Sequence, residues 1–208
     1  MILAGALLAV SAQSAATEQP CADAMVVARI ERATPTEIPR IPGEFVMRWP
    51  WVVELDVEQV LIGPIRSGPI EIRADLHSEF NPQLDHVLLF LQRRDDGRYW
   101  MTWFEWRIVR DRHGRFVIPL AEPLHPHHLA PHGAIPASYA ASLRPVRYRG
   151  ADAWWLRPPH LDRNELNALD PAWARRSGRA AYAVRGLFLE DLAALVRRQP
   201  GALCADDG

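Results

Sequence analysis

The chain has 208 residues, 49% of them apolar, enough to bury a sizeable core within one domain. Its 24 basic residues nearly cancel 25 acidic ones, and the formal net charge of -1 excludes a broad basic field for nucleic acid. Every basic residue is Arg and none is Lys, which we read as codon bias, so Arg-richness does not mark phosphate binding.

Residues 1–10, MILAGALLAV, are an apolar run too short to span a bilayer, followed by the small and polar residues SAQSAAT. This is the outline of a signal peptide over 1–16, with Ser14-Ala15-Ala16 as its cleavage site and no basic residue ahead of the run. The expectation is an exported protein, periplasmic or secreted, with no membrane anchor after cleavage and a single domain over 17–208. Cys21 and Cys204 are an even pair of the kind that bridges in an oxidising compartment, and their disulfide would close a loop over nearly the whole mature chain. Glu18-Gln19-Pro20 before Cys21 do not fit a lipidated cysteine.

From Ala24 to Leu120 the chain reads as strands. Met25–Arg32 is short and rich in β-branched residues. After a loop with four prolines, Trp51–Val57 alternates, Val53, Leu55 and Val57 on one face and Glu54 and Asp56 on the other. Gly63-Pro64 and Ser67-Gly68-Pro69 punctuate, and Ile70, Ile72 and Ala74 then alternate with Glu71 and Arg73. Val87–Leu91 is apolar without alternation, as a strand buried on both faces would be. Asp95-Asp96-Gly97 predicts a hairpin turn into an aromatic strand over Tyr99–Val109, where Phe104, Trp106 and Ile108 share a face expected in the core. Asp111–Gly114 turns again into Phe116-Val117-Ile118. Five or six such strands suit a small closed antiparallel barrel.

Residues 121–180 hold eight of the 18 prolines and five of the eight histidines, with no sustained period, and read as a long irregular Pro/His-rich insertion. Ala181–Val184 predicts a last strand, and a C-terminal α-helix follows over 187–198. Phe188, Leu192, Leu195 and Val196 make the helix's apolar stripe, and Pro200-Gly201 stops it. The fold class is therefore mainly β.

The succession of Cys21, a Val-rich strand, VELDVEQVLIGP, PIEIRA and HVLLFLQRRDDGRYW resembles the netrin-like and metalloproteinase-inhibitor-like group of OB-fold domains, over about residues 21–118. The resemblance implies an OB-like barrel, a secreted location and a binding role, protease inhibition among the alternatives. In the inhibitors the mature chain begins with Cys, whose amino group and carbonyl reach a protease's zinc. Cleavage after Ala16 would leave Thr17–Pro20 ahead of Cys21, so that chelating terminus would not exist here.

The densest polar constellation is His125-Pro126-His127-His128-Leu129-Ala130-Pro131-His132. Neutral imidazoles bind zinc or copper, so His125, His127, His128 and His132 are candidate ligands of a metal carrier or metal-dependent enzyme; a solvated polar loop is the other reading. Trp154 and Trp155 beside Arg157 are candidate partner-binding residues, either an exposed anchor or a plug over the barrel. No nucleophile elbow, phosphate loop, dinucleotide fingerprint or cysteine metal ribbon occurs, so no catalytic residue and no cofactor is assigned. The functional expectation is an exported binding or interaction module for an unknown protein or envelope partner, not for nucleic acid.

Overall fold

The structure, a computed structural model, describes residues 21–37, 43, 46–80, 86–131, 133–148, 168–177 and 180–205. Five strands, β1 (Ala24–Pro35), β2 (Trp49–Ile62), β3 (Gly68–Leu76), β4 (Val87–Arg93) and β5 (Tyr99–Glu105), close into a barrel in the order β1-β2-β3-β5-β4. Every neighbouring pair is antiparallel except β3 and β5, which run parallel with Arg73 opposite Trp100. A closed ring with an odd number of strands cannot alternate direction throughout, so one parallel seam is unavoidable. That seam amends the expected all-antiparallel barrel, and the strand order is that of an OB fold.

Alternation settles which side chains fill the barrel. On β2, Trp51, Val53, Leu55 and Val57 are buried inside. Between them Asp56 and Glu54 point outward to Arg29 (2.8 Å) and Arg32 of β1. The β4–β5 turn forms as its residues predict: Gly97, at φ 76°, donates its N–H to the Arg94 carbonyl at 2.8 Å, and Asp96 accepts from the Arg98 N–H at 3.0 Å. Where β2 ends, Gly63 passes so close to β1 that a Cβ would lie 2.2 Å from the Asp23 carbonyl oxygen.

Ala24–Ala28 of β1 and Val87–Leu91 of β4 are buried on both faces. Ala24, Val26, Ala28, Val87, Leu89 and Leu91 point into the barrel, while Met25, Val27, Leu88 and Phe90 point out into a second core. This is why both segments lack alternation in the sequence. The second core is covered by a sheet in the order β6-β7-β11-β8, made of β6 (Val109–Arg110), β7 (Phe116–Leu120), β8 (Arg144–Pro145) and β11 (Arg185–Phe188). The strand expected at 116–118 thus belongs to this outer sheet and not to the barrel. A hairpin of β9 (Ala174–Ser177) and β10 (Ala180–Ala183) stands beside it, and helix α1 (Leu189–Arg198) completes the layer. The helix begins two residues later than expected because Leu187 and Phe188 still pair with Ile118 and Val117 of β7.

The described part of the Pro/His-rich insertion is irregular yet packed. Two short 3-10 turns, Pro126–His128 and Ala137–Ser142, alternate with extended chain, and Leu129, Ala130, Ile135, Tyr139 and Leu143 are buried in the second core. The Tyr139 hydroxyl donates to the Leu124 carbonyl (2.7 Å) and accepts from the Leu124 N–H (2.8 Å), replacing ladder bonds that the loop lacks.

Cys21 and Cys204 are bonded, at a sequence separation of 183 and with Cα atoms 4.9 Å apart. Backbone bonds reinforce the junction: Ala22 N–H donates to the Ala202 carbonyl (3.0 Å), and Cys204 N–H to the Ala22 carbonyl (3.2 Å). The bridge thereby fastens the end of the outer layer to the start of β1. No helix among the described residues is long and apolar enough to cross a membrane.

Candidate functional site

The parallel seam is the weak point of the barrel wall. Beyond Arg73–Trp100, β3 and β5 share no further pairing. Asp75 and Leu76 pair with β2 on one side only, and Trp103–Glu105 pair with β4 on one side only, among the described residues, Thr102 standing at a bulge. Both unpaired edges line one groove of about 590 Å³.

Aromatic side chains make its apolar surface. Phe80 meets Phe104 edge-on at 5.3 Å between ring centroids, Trp103 is half-buried, and Trp106 is 52% exposed. The indole Nε1 of Trp103 is buried and has no hydrogen-bond partner among the described residues, and the ring also packs against the second core. Trp106 corrects the expectation that it lies in the core. β5 stops at Glu105, whose buried carboxylate accepts from the Arg107 N–H (2.7 Å) and from its guanidinium (2.7 and 2.9 Å). That tight turn ends the pleat, so Trp106 leaves the face of Phe104 while Ile108 rejoins the second core. The bond to Glu105, followed by burial acting the other way, holds the Arg107 guanidinium above its ordinary range.

Polar groups in the groove balance. Arg48 and Arg94 line it together with Asp75 and Glu79, so the described lining carries as many arginines as carboxylates. Arg94 stacks over Trp100 with its guanidinium carbon 3.9 Å from the ring centre. Gln92 lines the groove and also sends its amide toward both disulfide sulfurs, 3.4 Å to Cys21 and 3.8 Å to Cys204. The groove and the bridge therefore share a side chain. Such a lining can stack, hydrogen-bond and pair with a backbone.

The structure gathers three of the four candidate histidines. His125, His127 and His128 are exposed, with ring centroids 4.0 to 6.3 Å apart, and Arg107 bonds the His128 carbonyl at 2.8 Å, anchoring the loop to the end of β5. Among the described residues no group of three or more His, Cys, Asp or Glu is arranged to hold a metal ion. His132, Trp154, Trp155 and Arg157 lie outside the described residues, as do residues 1–16, where a signal peptide is expected.

Sequence reading missed the groove, since its residues come from four separated stretches and share no period. The signal available was local: Trp103 and Trp106 close to the Glu105-x-Arg107 pair that ends the strand. No family model matches the chain, and no curated protein and no solved structure matches it either.

Proposed function

We propose that the chain is an exported binding module that takes an extended peptide segment of a partner into the β3/β5 groove, where it adds as a strand. The observation that supports this is the pair of unpaired backbone edges lining one aromatic groove. A row of free N–H and C=O groups is a template for another chain, and in strand addition the backbone bonds supply affinity while flanking side chains supply selectivity. The mixed charges of the lining speak against a polyphosphate, which selects for surplus cations. Export is supported by the bridged cysteines, which persist outside the reducing cytoplasm, and by the apolar run at residues 1–10.

The test is selection of displayed random linear peptides on the oxidised protein, followed by amide chemical-shift mapping with the best synthetic peptide. Enriched peptides should perturb Asp75–Leu76 and Thr102–Glu105, and Trp106→Ala should weaken them by roughly tenfold, the scale of an aromatic anchor. No enrichment, or shifts confined elsewhere, overturns the reading. Export is checked by fractionating the native host: accumulation of the unbridged chain in the cytoplasm would contradict it.

A further inference from the structure

A second cleft, on the opposite kind of surface, has a different chemistry. It lies between the chain around β8 and the β9–β10 hairpin and measures about 580 Å³. The hairpin register sets Tyr182 opposite Arg175, and Val184 donates to the Trp173 carbonyl at 2.8 Å, so both side chains sit on a fixed ribbon. The facing wall is fixed too: Val146 N–H donates to the Val184 carbonyl at 2.9 Å, placing Arg147 and Tyr148 beside it.

The described lining contains Arg147 and Arg175 and no Asp or Glu. Neither guanidinium has an ion-pair partner among the described residues, although Arg29, Arg32, Arg107, Arg110, Arg115 and Arg144 each hold a carboxylate. In a chain with 25 acidic residues and a net charge of -1, this cleft presents two arginines and, among the described residues, no carboxylate. The Tyr148 hydroxyl is buried with no hydrogen-bond partner among the described residues, and burial pushes its pKa upward, so it remains a protonated donor. Next door a smaller cavity of about 140 Å³ shares Pro145 and Arg147. Its single carboxylate, Asp111, is consumed by Arg115 at 2.7 Å and by the backbone N–H groups of His113 and Arg115.

The geometry points to an anion site in this cleft: Arg147 and Arg175 hold an oxyanion, carboxylate, sulfate or phosphate, whose ring-bearing body rests on Tyr148 and Tyr182. Guanidinium groups present paired donors matched to such oxygens, and a concave wall of one charge sign concentrates the field. Pro145, Val146 and Val184 supply the apolar floor that a bare inorganic ion would leave unused. The site is on the outer sheet and independent of the peptide groove, so either can fail without the other.

Phenyl phosphate, inorganic phosphate and benzyl alcohol serve as probes on the intact oxidised chain, followed by the arginine Nε–Hε resonances and by calorimetry. Phenyl phosphate should shift Arg147 and Arg175, bind more tightly than inorganic phosphate, and lose affinity as salt rises. Arg147→Gln with Arg175→Gln should weaken it by roughly tenfold or more. Both residues are exposed, so the variant keeps its fold, which an unchanged amide spectrum elsewhere verifies. Equal binding by benzyl alcohol, or affinity unmoved in the double variant, overturns the proposal. Inorganic phosphate binding as tightly as phenyl phosphate would overturn the role of the tyrosines.

Discussion

The barrel interior and the core outside it share two strands, β1 and β4, yet they are held in different ways. Inside, every wall is a strand and every second residue points in, so Val53, Leu55 and Val57 meet Ile72, Ala74, Leu89 and Leu91 by register alone. Outside, β1 and β4 are still one wall, but Met25, Val27, Leu88 and Phe90 are covered by pieces distant in sequence: β7, the 3-10 turns, β11 and α1. The barrel closes by hydrogen bonds; the outer layer has little ladder and depends on apolar contact, ion pairs and the disulfide. At its edge Arg144 lies over the Phe188 ring (4.2 Å) and bonds Asp191 (2.6 Å) and Glu190 (2.8 Å) at the start of α1, where negative charge also suits the helix dipole. A core covered by loops needs more staples than a core closed by strands.

Removing those staples is the strongest way to break the comparison. Replacing Cys21 and Cys204 by Ser frees a loop of 183 positions, and the loop-entropy relation sets the loss at about 5 kcal/mol before any strain is subtracted. Amide hydrogen exchange should then rise first in α1 and β11, which the bridge ties to β1, and last in β2 and β3. Equal loss of protection in both regions would mean that they are a single cooperative unit.

Neighbouring residues on β4 sharpen the contrast at slightly smaller cost. Phe90→Ala empties the outer core by about 3 to 5 kcal/mol and Leu89→Ala empties the barrel by about 2 to 5 kcal/mol. Both side chains are fully buried, and they point to opposite sides of one strand. Because β4 serves both cores, each variant should still unfold in urea in a single transition. Two separated transitions would show that the shared strands do not couple the regions.

The smallest effect belongs to the Asp111 turn on the outer sheet. Burial acts to raise this carboxyl, but the side chain and N–H of Arg115 and the N–H of His113 outweigh it and hold it below its ordinary value. A carboxyl lowered on folding contributes stability above the unfolded pKa, near pH 4, and that contribution drains away as pH falls through the folded value. Asp111→Asn should cost about 2 kcal/mol at neutral pH and progressively less in acid. A variant that parallels the parent throughout an acid titration of stability would contradict this account.

The barrel was legible because period-two alternation is written locally. Trp51–Val57, Ile70–Ala74 and the Asp95-Asp96-Gly97 turn each announce their conformation within a few residues. Even the absence of alternation at Val87–Leu91 carried information, since two apolar faces need two cores. The peptide groove and the anion cleft were not legible. Trp106 continued the alternation of Phe104 in sequence, and only the Glu105–Arg107 turn takes it out to solvent. Likewise Arg147 and Arg175 look like any other arginines until the paths of the neighbouring carboxylates are known.

From the residues alone follow the mainly β class, the apolar strands, the closing helix and the pairing of Cys21 with Cys204, because propensity, period and cysteine count act over short range or admit one solution. Where the outer sheet diverges from the barrel, and which arginines find no counterion among the described residues, was decided by packing. Five strands must close with one parallel seam, and that seam opens beyond Arg73–Trp100 into the groove. Neither closure nor neutralisation is a property of any one segment: both arise only when distant segments compete for the same space and the same charges.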